Sequence, residues 1–168
     1  GFPLWYNENE MEQVCKIKLK GVMMLTLKEQ HEKILYPVVR VRTTKAGGSG
    51  TVIYSKPDPD NKEEYLSFVL TCSHVIDDAV SVKRDWDSQL KKKIDKEFLE
   101  QVQVEIFDYA YLSKVNSSNA YQADIVTYDK YHDIAILKLD SPKKIEYTAS
   151  IIPKDKIANT KLFTPTWT

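Results

Sequence analysis

Short segments rich in β-branched residues, separated by turn-forming residues, recur along most of this 168-residue chain. The clearest occupy residues 38–43, 65–71 and 134–139, where apolar side chains alternate with polar ones or run together. Further segments of this kind occur at 51–54, 102–107 and 121–128, and residues 46–50 read as a turn. Such lengths and spacings are typical of strands joined by local turns. The sequence predicts an all-β fold of about six strands, an antiparallel barrel or sandwich.

Two segments have a helical pattern instead. Thr26 and Glu29 have the spacing of a capping box, which predicts a short helix over residues 27–35. Later, apolar residues recur every four positions with lysines between them, which predicts an amphipathic helix near residues 87–102. These apolar residues are Leu90, Ile94, Phe98 and Val102.

The charge balance limits the partners that the chain can be expected to bind. It has 24 basic and 24 acidic residues and a formal net charge of zero, which argues against nucleic acid or an anionic membrane as the main partner. No apolar run approaches the roughly 20 residues of a membrane-spanning helix, and no signal peptide is visible at the N-terminus.

We expect Cys15 and a buried Cys72 to be free thiols, which slightly favours a reducing compartment. No cofactor is expected.

A histidine and an aspartate stand at the ends of two predicted strands. His74 follows the strand of residues 65–71 after only two small residues, and Asp133 directly precedes the apolar strand of residues 134–139. Burying a carboxylate is costly unless it is paired. An aspartate that accepts a hydrogen bond from the Nδ1–H of a histidine leaves Nε2 free to take a proton. We therefore expect His74 and Asp133 to lie within about 2.6–3.2 Å of each other.

Three residues compete for these positions. His132 is a rival partner for Asp133, but neighbours on an extended segment point to opposite faces. Asp124 and Asp129 are rival acids, but neither immediately precedes a buried strand. The sequence favours Asp133.

Three motifs resemble, in chain order, the first half of a trypsin-like serine protease of the chymotrypsin fold, closest to its HtrA-like branch. They are GGSGTVIY (residues 47–54), FVLTCSHVI (68–76) and YDKYHDIAILKL (128–139). The resemblance implies that residues 36–140 form the first six-stranded Greek-key β-barrel, with the helix near 87–102 as an insertion. Residues 1–35 would then be an N-terminal extension, and residues 141–168 a tail that leads toward a second barrel. It also implies that His74 is the general base and Asp133 the acid that orients it.

The chain departs from the family at the nucleophile. The Gly-x-Ser-Gly-Gly loop of the second barrel is missing, and no glycine follows Gly50. We therefore expect the N-terminal barrel of a serine endopeptidase acting on protein or peptide substrates. It would be inactive until a C-terminal half or second chain supplies the serine. Two alternatives remain: a non-catalytic protease-like module, and a cysteine protease of the same fold with its cysteine in the missing half. Cys72 itself is disfavoured as a nucleophile because we expect it to face the core.

Overall fold

The computed structural model describes residues 25–141 and 143–157. A short helix α1 (Leu27–Gln30) continues into a π-helical turn (His31–Leu35), and a second helix, α2, spans Lys154–Ile157. The eight strands are β1 (Val38–Arg42), β2 (Gly47–Pro57), β3 (Tyr65–Thr71), β4 (Val80–Asp87), β5 (Lys92–Leu99), β6 (Val102–Tyr111), β7 (Lys114–Asp129) and β8 (Ile134–Leu139). Among the described residues, no helix is long and apolar enough to cross a membrane.

Six of the strands close into an antiparallel barrel in the order β1-β2-β3-β8-β7-β6, and β6 pairs back onto β1. β1, β2 and β3 are consecutive neighbours, and β6 returns to lie beside β1, which is the strand order of a Greek key. The all-β fold with a six-stranded antiparallel barrel, predicted from the sequence, is therefore confirmed. The domain boundaries stay predictions.

The core fills the barrel with aliphatic side chains that point inward from alternate positions of each strand. β1, β3 and β8 show this alternation in their burial along their length. Among the core residues, those that are at most 2% exposed are Val39, Val41, Val52, Val69, Ile76, Val102, Val104, Ala123, Ala135, Leu137 and Leu139.

The glycines of residues 47–50 lie in a strand and not, as predicted, in a turn. β2 begins at Gly47, and the turn that precedes it is closed by a hydrogen bond of 2.9 Å from Thr43 N to Ala46 O. A Cβ atom on Gly48 would lie 2.5 Å from Cγ2 of Val75. This glycine therefore lets β2 pass close to the segment that follows β3.

The predicted helix near residues 87–102 is wrong. β4 and β5 form a two-stranded antiparallel sheet outside the barrel, with Val80 opposite Leu99 and Asp87 opposite Lys92. At its tip, Asp87 Oδ1 accepts hydrogen bonds of 2.8 Å from the backbone N–H groups of two following residues. This aspartate turn closes a hairpin, so the insertion is a β-hairpin.

The helix predicted over residues 27–35 is present. The Thr26 hydroxyl accepts from Glu29 N at 3.1 Å, and the Glu29 carboxylate accepts from Thr26 N at 3.3 Å, so the capping box is complete. Cys15 and the tail from residue 158 lie outside the described residues.

Candidate active site

His74 lies in a one-turn 3-10 helix, Ser73–Val75, directly after β3. The residues on either side of it are anchored in the core, since Ser73 is 1% and Val75 5% exposed. The His74 side chain, in contrast, is 68% exposed. The turn therefore fixes the backbone and presents the imidazole at the barrel surface.

Asp133 reaches His74 through the pairing of β3 with β8. Thr71, the last residue of β3, is opposite Ala135 near the start of β8, so the end of one strand and the beginning of the other are neighbours. Asp133 has a φ of 55°, in the left-handed region that aspartate tolerates better than most residues. This backbone turn brings the carboxylate to the His-bearing loop, residues 72–79 between β3 and β4.

Two hydrogen bonds join these residues, which are 59 positions apart in sequence. Asp133 Oδ1 accepts from the backbone N–H of His74 at 2.8 Å, and Oδ2 lies 2.6 Å from His74 Nδ1. The contact predicted from the sequence is therefore present. An ionised carboxylate can only accept, so Nδ1 carries the proton of the neutral ring. The lone pair is then on Nε2.

Hydrogen bonding also favours the charged form of this carboxylate. The backbone N–H of His74, followed by its side chain, holds the pKa of Asp133 below its ordinary value. Partial desolvation opposes this shift but does not cancel it. Asp133 is therefore ionised at neutral pH, as an acceptor for Nδ1–H must be.

A second carboxylate, that of Asp78, fastens the His-bearing loop to the turn between β1 and β2. Asp78 accepts hydrogen bonds from Thr43 Oγ1 at 2.5 Å and from the backbone N–H of Lys45 at 3.1 Å. Burial raises the pKa of Asp78, but hydrogen bonds, led by that from Thr43, outweigh it and leave the pKa lowered. No local pattern in the sequence indicates this contact, because Thr43 and Asp78 are 35 residues apart.

The rival residues have other partners. His132 Nδ1 lies 2.5 Å from Oδ2 of Asp129, and the backbone N–H of His132 donates to Oδ1 of the same residue at 3.1 Å. Asp129 and His132 are only three positions apart in sequence, so their contact is local. Asp124 accepts from the Gln101 side chain at 3.0 Å. None of the three is the partner of His74 or Asp133 in these contacts.

Cys72 is exposed, and the prediction that it is buried is wrong. Residues 71–75 alternate between buried and exposed, with Thr71, Ser73 and Val75 buried. Cys72 and His74 consequently share the outer side. The Cys72 sulfur, a His74 ring nitrogen and an Asp133 carboxylate oxygen all lie within 4.8 Å of one another. The sequence analysis did not predict that the Cys72 thiol lies beside this pair.

The β4–β5 hairpin is attached near the same loop. Glu100 N, just after β5, donates to Ala79 O at 2.8 Å, and the Tyr128 hydroxyl donates to the Glu97 carboxylate. This hydrogen bond is the main reason that the pKa of Tyr128 is raised. The hairpin is therefore held to the barrel at the end of β7, a few residues before Asp133.

Comparison with known proteins finds similarity only at the level of solved structures. No family model and no curated protein sequence matches the chain. A solved structure described as "Crystal structure of Deg5" is similar with a TM-score of 0.46 and 16% sequence identity. The match covers 89% of this chain and 51% of that chain, so this chain spans about half the length of that structure. At this identity and TM-score the likeness says nothing about activity.

Proposed function

We propose that this barrel is the N-terminal half of a trypsin-like serine endopeptidase, with His74 as general base and Asp133 as the residue that orients it. The observation that carries the proposal is the pair of hydrogen bonds between them, at 2.6 and 2.8 Å. They fix the ring by Nδ1 and leave Nε2 as the proton acceptor. Endopeptidases of this kind need that tautomer and that orientation.

A purely structural role explains the pair less well. The side chains are 68% and 44% exposed, and an ion pair with that exposure adds little to stability. Asp133 moreover holds a left-handed backbone conformation, which costs free energy for a residue with a side chain. Backbone strain of this kind is found most often at functional sites.

The chemistry follows from the free Nε2. A serine hydroxyl from a second barrel attacks the peptide carbonyl, and its proton passes to Nε2 of His74. The imidazolium then gives this proton to the leaving amine, and water hydrolyses the acyl-enzyme by the same route. Asp133 stays ionised throughout and stabilises the imidazolium. The partner barrel, as a C-terminal half or a second chain, contributes the serine and the N–H groups that bind the oxyanion.

The test is a paired histidine substitution in the gene product that contains this chain together with its second barrel, joined or added separately. We expect His74→Ala to abolish peptide cleavage and to prevent labelling by a serine-directed phosphonate. His132→Ala is the matched control, because His132 makes the same type of Nδ1–carboxylate contact with Asp129. Equal losses in the two variants would contradict the assignment.

The same assay separates the alternatives. The isolated 168-residue chain should neither cleave peptides nor react with the phosphonate. A cysteine protease with its nucleophile in the second barrel would cleave peptides without reacting with the phosphonate. It would lose this cleavage on treatment with iodoacetamide also in a Cys72→Ser variant, which removes the exposed thiol of this chain. A non-catalytic module would cleave no peptide and would not react with the phosphonate.

A further inference from the structure

Three side chains with different donor atoms converge at the surface where β3 ends and β8 begins. Cys72 offers a sulfur, His74 a ring nitrogen and Asp133 a carboxylate oxygen, all within 4.8 Å of one another. They come from two chain segments that the β3–β8 pairing holds together. Their convergence is therefore built into the barrel.

These donors match one class of metal ion. Zn²⁺ is bound by Cys sulfur, His nitrogen and Asp oxygen in tetrahedral sites, whereas Ca²⁺ and Mg²⁺ take oxygen ligands. Metal–ligand bonds of the usual length place tetrahedral ligand atoms about 3.3–3.6 Å apart. From a widest separation of at most 4.8 Å, the donor atoms have to approach by up to about 1.2–1.5 Å. All three side chains are at least partly exposed, so rotation about their side-chain bonds can supply that movement.

We propose that Cys72, His74 and Asp133 form a Zn²⁺ site with its fourth position open to water. The Cys72 thiol loses its proton to solvent as the sulfur–zinc bond forms, since the thiolate is the ligand. The Asp133 oxygen and one nitrogen of His74 complete the protein's share of the tetrahedron. No ligand has to come from outside the described residues.

Zinc in this site excludes proton transfer by His74. If the metal takes Nδ1, the Nδ1–H bond to Asp133 is lost. If it takes Nε2, the lone pair that would accept the proton of the serine is occupied. In both cases the base is unavailable, so zinc binding and catalysis are mutually exclusive. This inhibitory consequence rests on the proposed function, whereas the binding itself does not.

The second histidine–carboxylate pair is an internal control. Asp129 and His132 make the same Nδ1–carboxylate contact, at 2.5 Å, and their side chains are comparably exposed, 49% and 64%. That pair is not among the groups of three donors within reach of one another in the described part of the chain. The two pairs differ in the thiol, so the proposal predicts zinc binding at the first and much weaker binding at the second.

The experiment titrates the reduced 168-residue chain with Zn²⁺ against a chromophoric chelator, and with Co²⁺ as a spectroscopic substitute. We expect one tight Zn²⁺ per chain and a thiolate-to-cobalt charge-transfer band in the near ultraviolet. Cys72→Ser should remove the band and weaken Zn²⁺ binding at least about tenfold, and His74→Ala should weaken it similarly. Cys15→Ser and His132→Ala should leave the cobalt band and the Zn²⁺ affinity unchanged. Added Mg²⁺ should not displace Zn²⁺ from the site.

Two results would overturn the proposal: an unchanged Zn²⁺ affinity in Cys72→Ser, or a charge-transfer band that disappears in Cys15→Ser. Circular dichroism of each variant shows whether the barrel is intact. In an active gene product, Cys72→Ser should also raise the Zn²⁺ concentration needed for inhibition. A chain that binds zinc in a gene product without proteolysis would refute the proposed function and leave the metal site standing. Proteolysis without zinc binding would refute the metal site and leave the proposed function standing.

Discussion

Gly48 provides a direct test of how β2 positions the His-bearing loop. A methyl group at this position would lie 2.5 Å from Cγ2 and 3.1 Å from Cγ1 of Val75, whereas carbon atoms in contact are normally about 3.5–4.0 Å apart. Val75 is 5% exposed and packs in the core, so it has to move by roughly 1 Å in a close-packed interior. We predict that Gly48→Ala lowers the free energy of unfolding and displaces His74, the neighbour of Val75.

Gly47 is the matched control for the size of this effect. A Cβ atom on Gly47 would meet nothing nearer than the Val41 carbonyl oxygen at 3.8 Å, and neither glycine has a positive φ. Replacing glycine by alanine reduces the entropy of the unfolded chain equally at both positions, by about 0.4–1 kcal/mol. The difference between the two variants therefore isolates overpacking, which costs about 1–3 kcal/mol.

Urea unfolding followed by circular dichroism measures that difference. With a slope of about 2 kcal/mol per molar urea, a difference of about 2 kcal/mol separates the two midpoints by about 1 M. The low-field NMR signal of the His74 Nδ1 proton reports on the site: it should shift in Gly48→Ala and stay in place in Gly47→Ala. Equal midpoints together with equal proton signals would refute the idea that β2 supports the loop through Val75.

Three further substitutions test neighbouring parts of the site. Ser73 Oγ is buried without a hydrogen-bond partner among the described residues, and such a group costs about 1–3 kcal/mol, so Ser73→Ala should raise the urea midpoint; a lower midpoint would show that the hydroxyl has a partner. Asp78 has a lowered pKa, so its contribution to stability is present above its unfolded pKa of about 3.9 and is lost as the pH falls through the folded value. Asp78→Asn should therefore flatten the acid side of a stability–pH profile, and an unchanged profile would contradict this. Asp133→Asn should keep the fold, since asparagine also tolerates positive φ. Under the proposed function it should reduce kcat of the gene product that contains both barrels by about 10⁴, as in a trypsin-type triad; full turnover would show that another acid holds His74.

The contact between His74 and Asp133 could be predicted because each residue adjoins a strand with a strong local pattern. β3 and β8 have the bounds that the apolar segments indicate, and the family resemblance implied that Asp133 orients His74. The contact of Asp78 with Thr43 had no such sign. It depends on two loops that meet only when the barrel closes, so no spacing along the chain reveals it.

The hairpin of β4 and β5 was mistaken for a helix for a definable reason. Apolar residues at 90, 94 and 98 recur every four positions, and this interval keeps side chains on one face of a helix and also on one side of a strand. A helix would add apolar residues three positions apart, and this segment has charged residues there. Asp87, which closes the turn, was the informative signal.

The exposure of Cys72 could have been inferred from His74. In an extended segment, residues two positions apart lie on the same side, and Cys72 is two positions before His74, which the proposed function requires to face the solvent. The position of Cys72 among residues expected to be buried suggested burial instead. The alternation of buried and exposed residues from Thr71 to Val75 decided otherwise.

The separate sheet of β4 and β5 has a consequence for self-association. Within the described residues each barrel strand pairs on both sides, whereas β4 and β5 pair only with each other, so each has an outer row of backbone groups available to another chain. Natural proteins protect such edges with charged side chains, lysine above all. Lys83, Lys92 and Lys93 are exposed on this hairpin, and their mutual repulsion disfavours the approach of a second copy. The lysines that suggested the solvated face of a helix are thus of the kind that protects an open sheet edge.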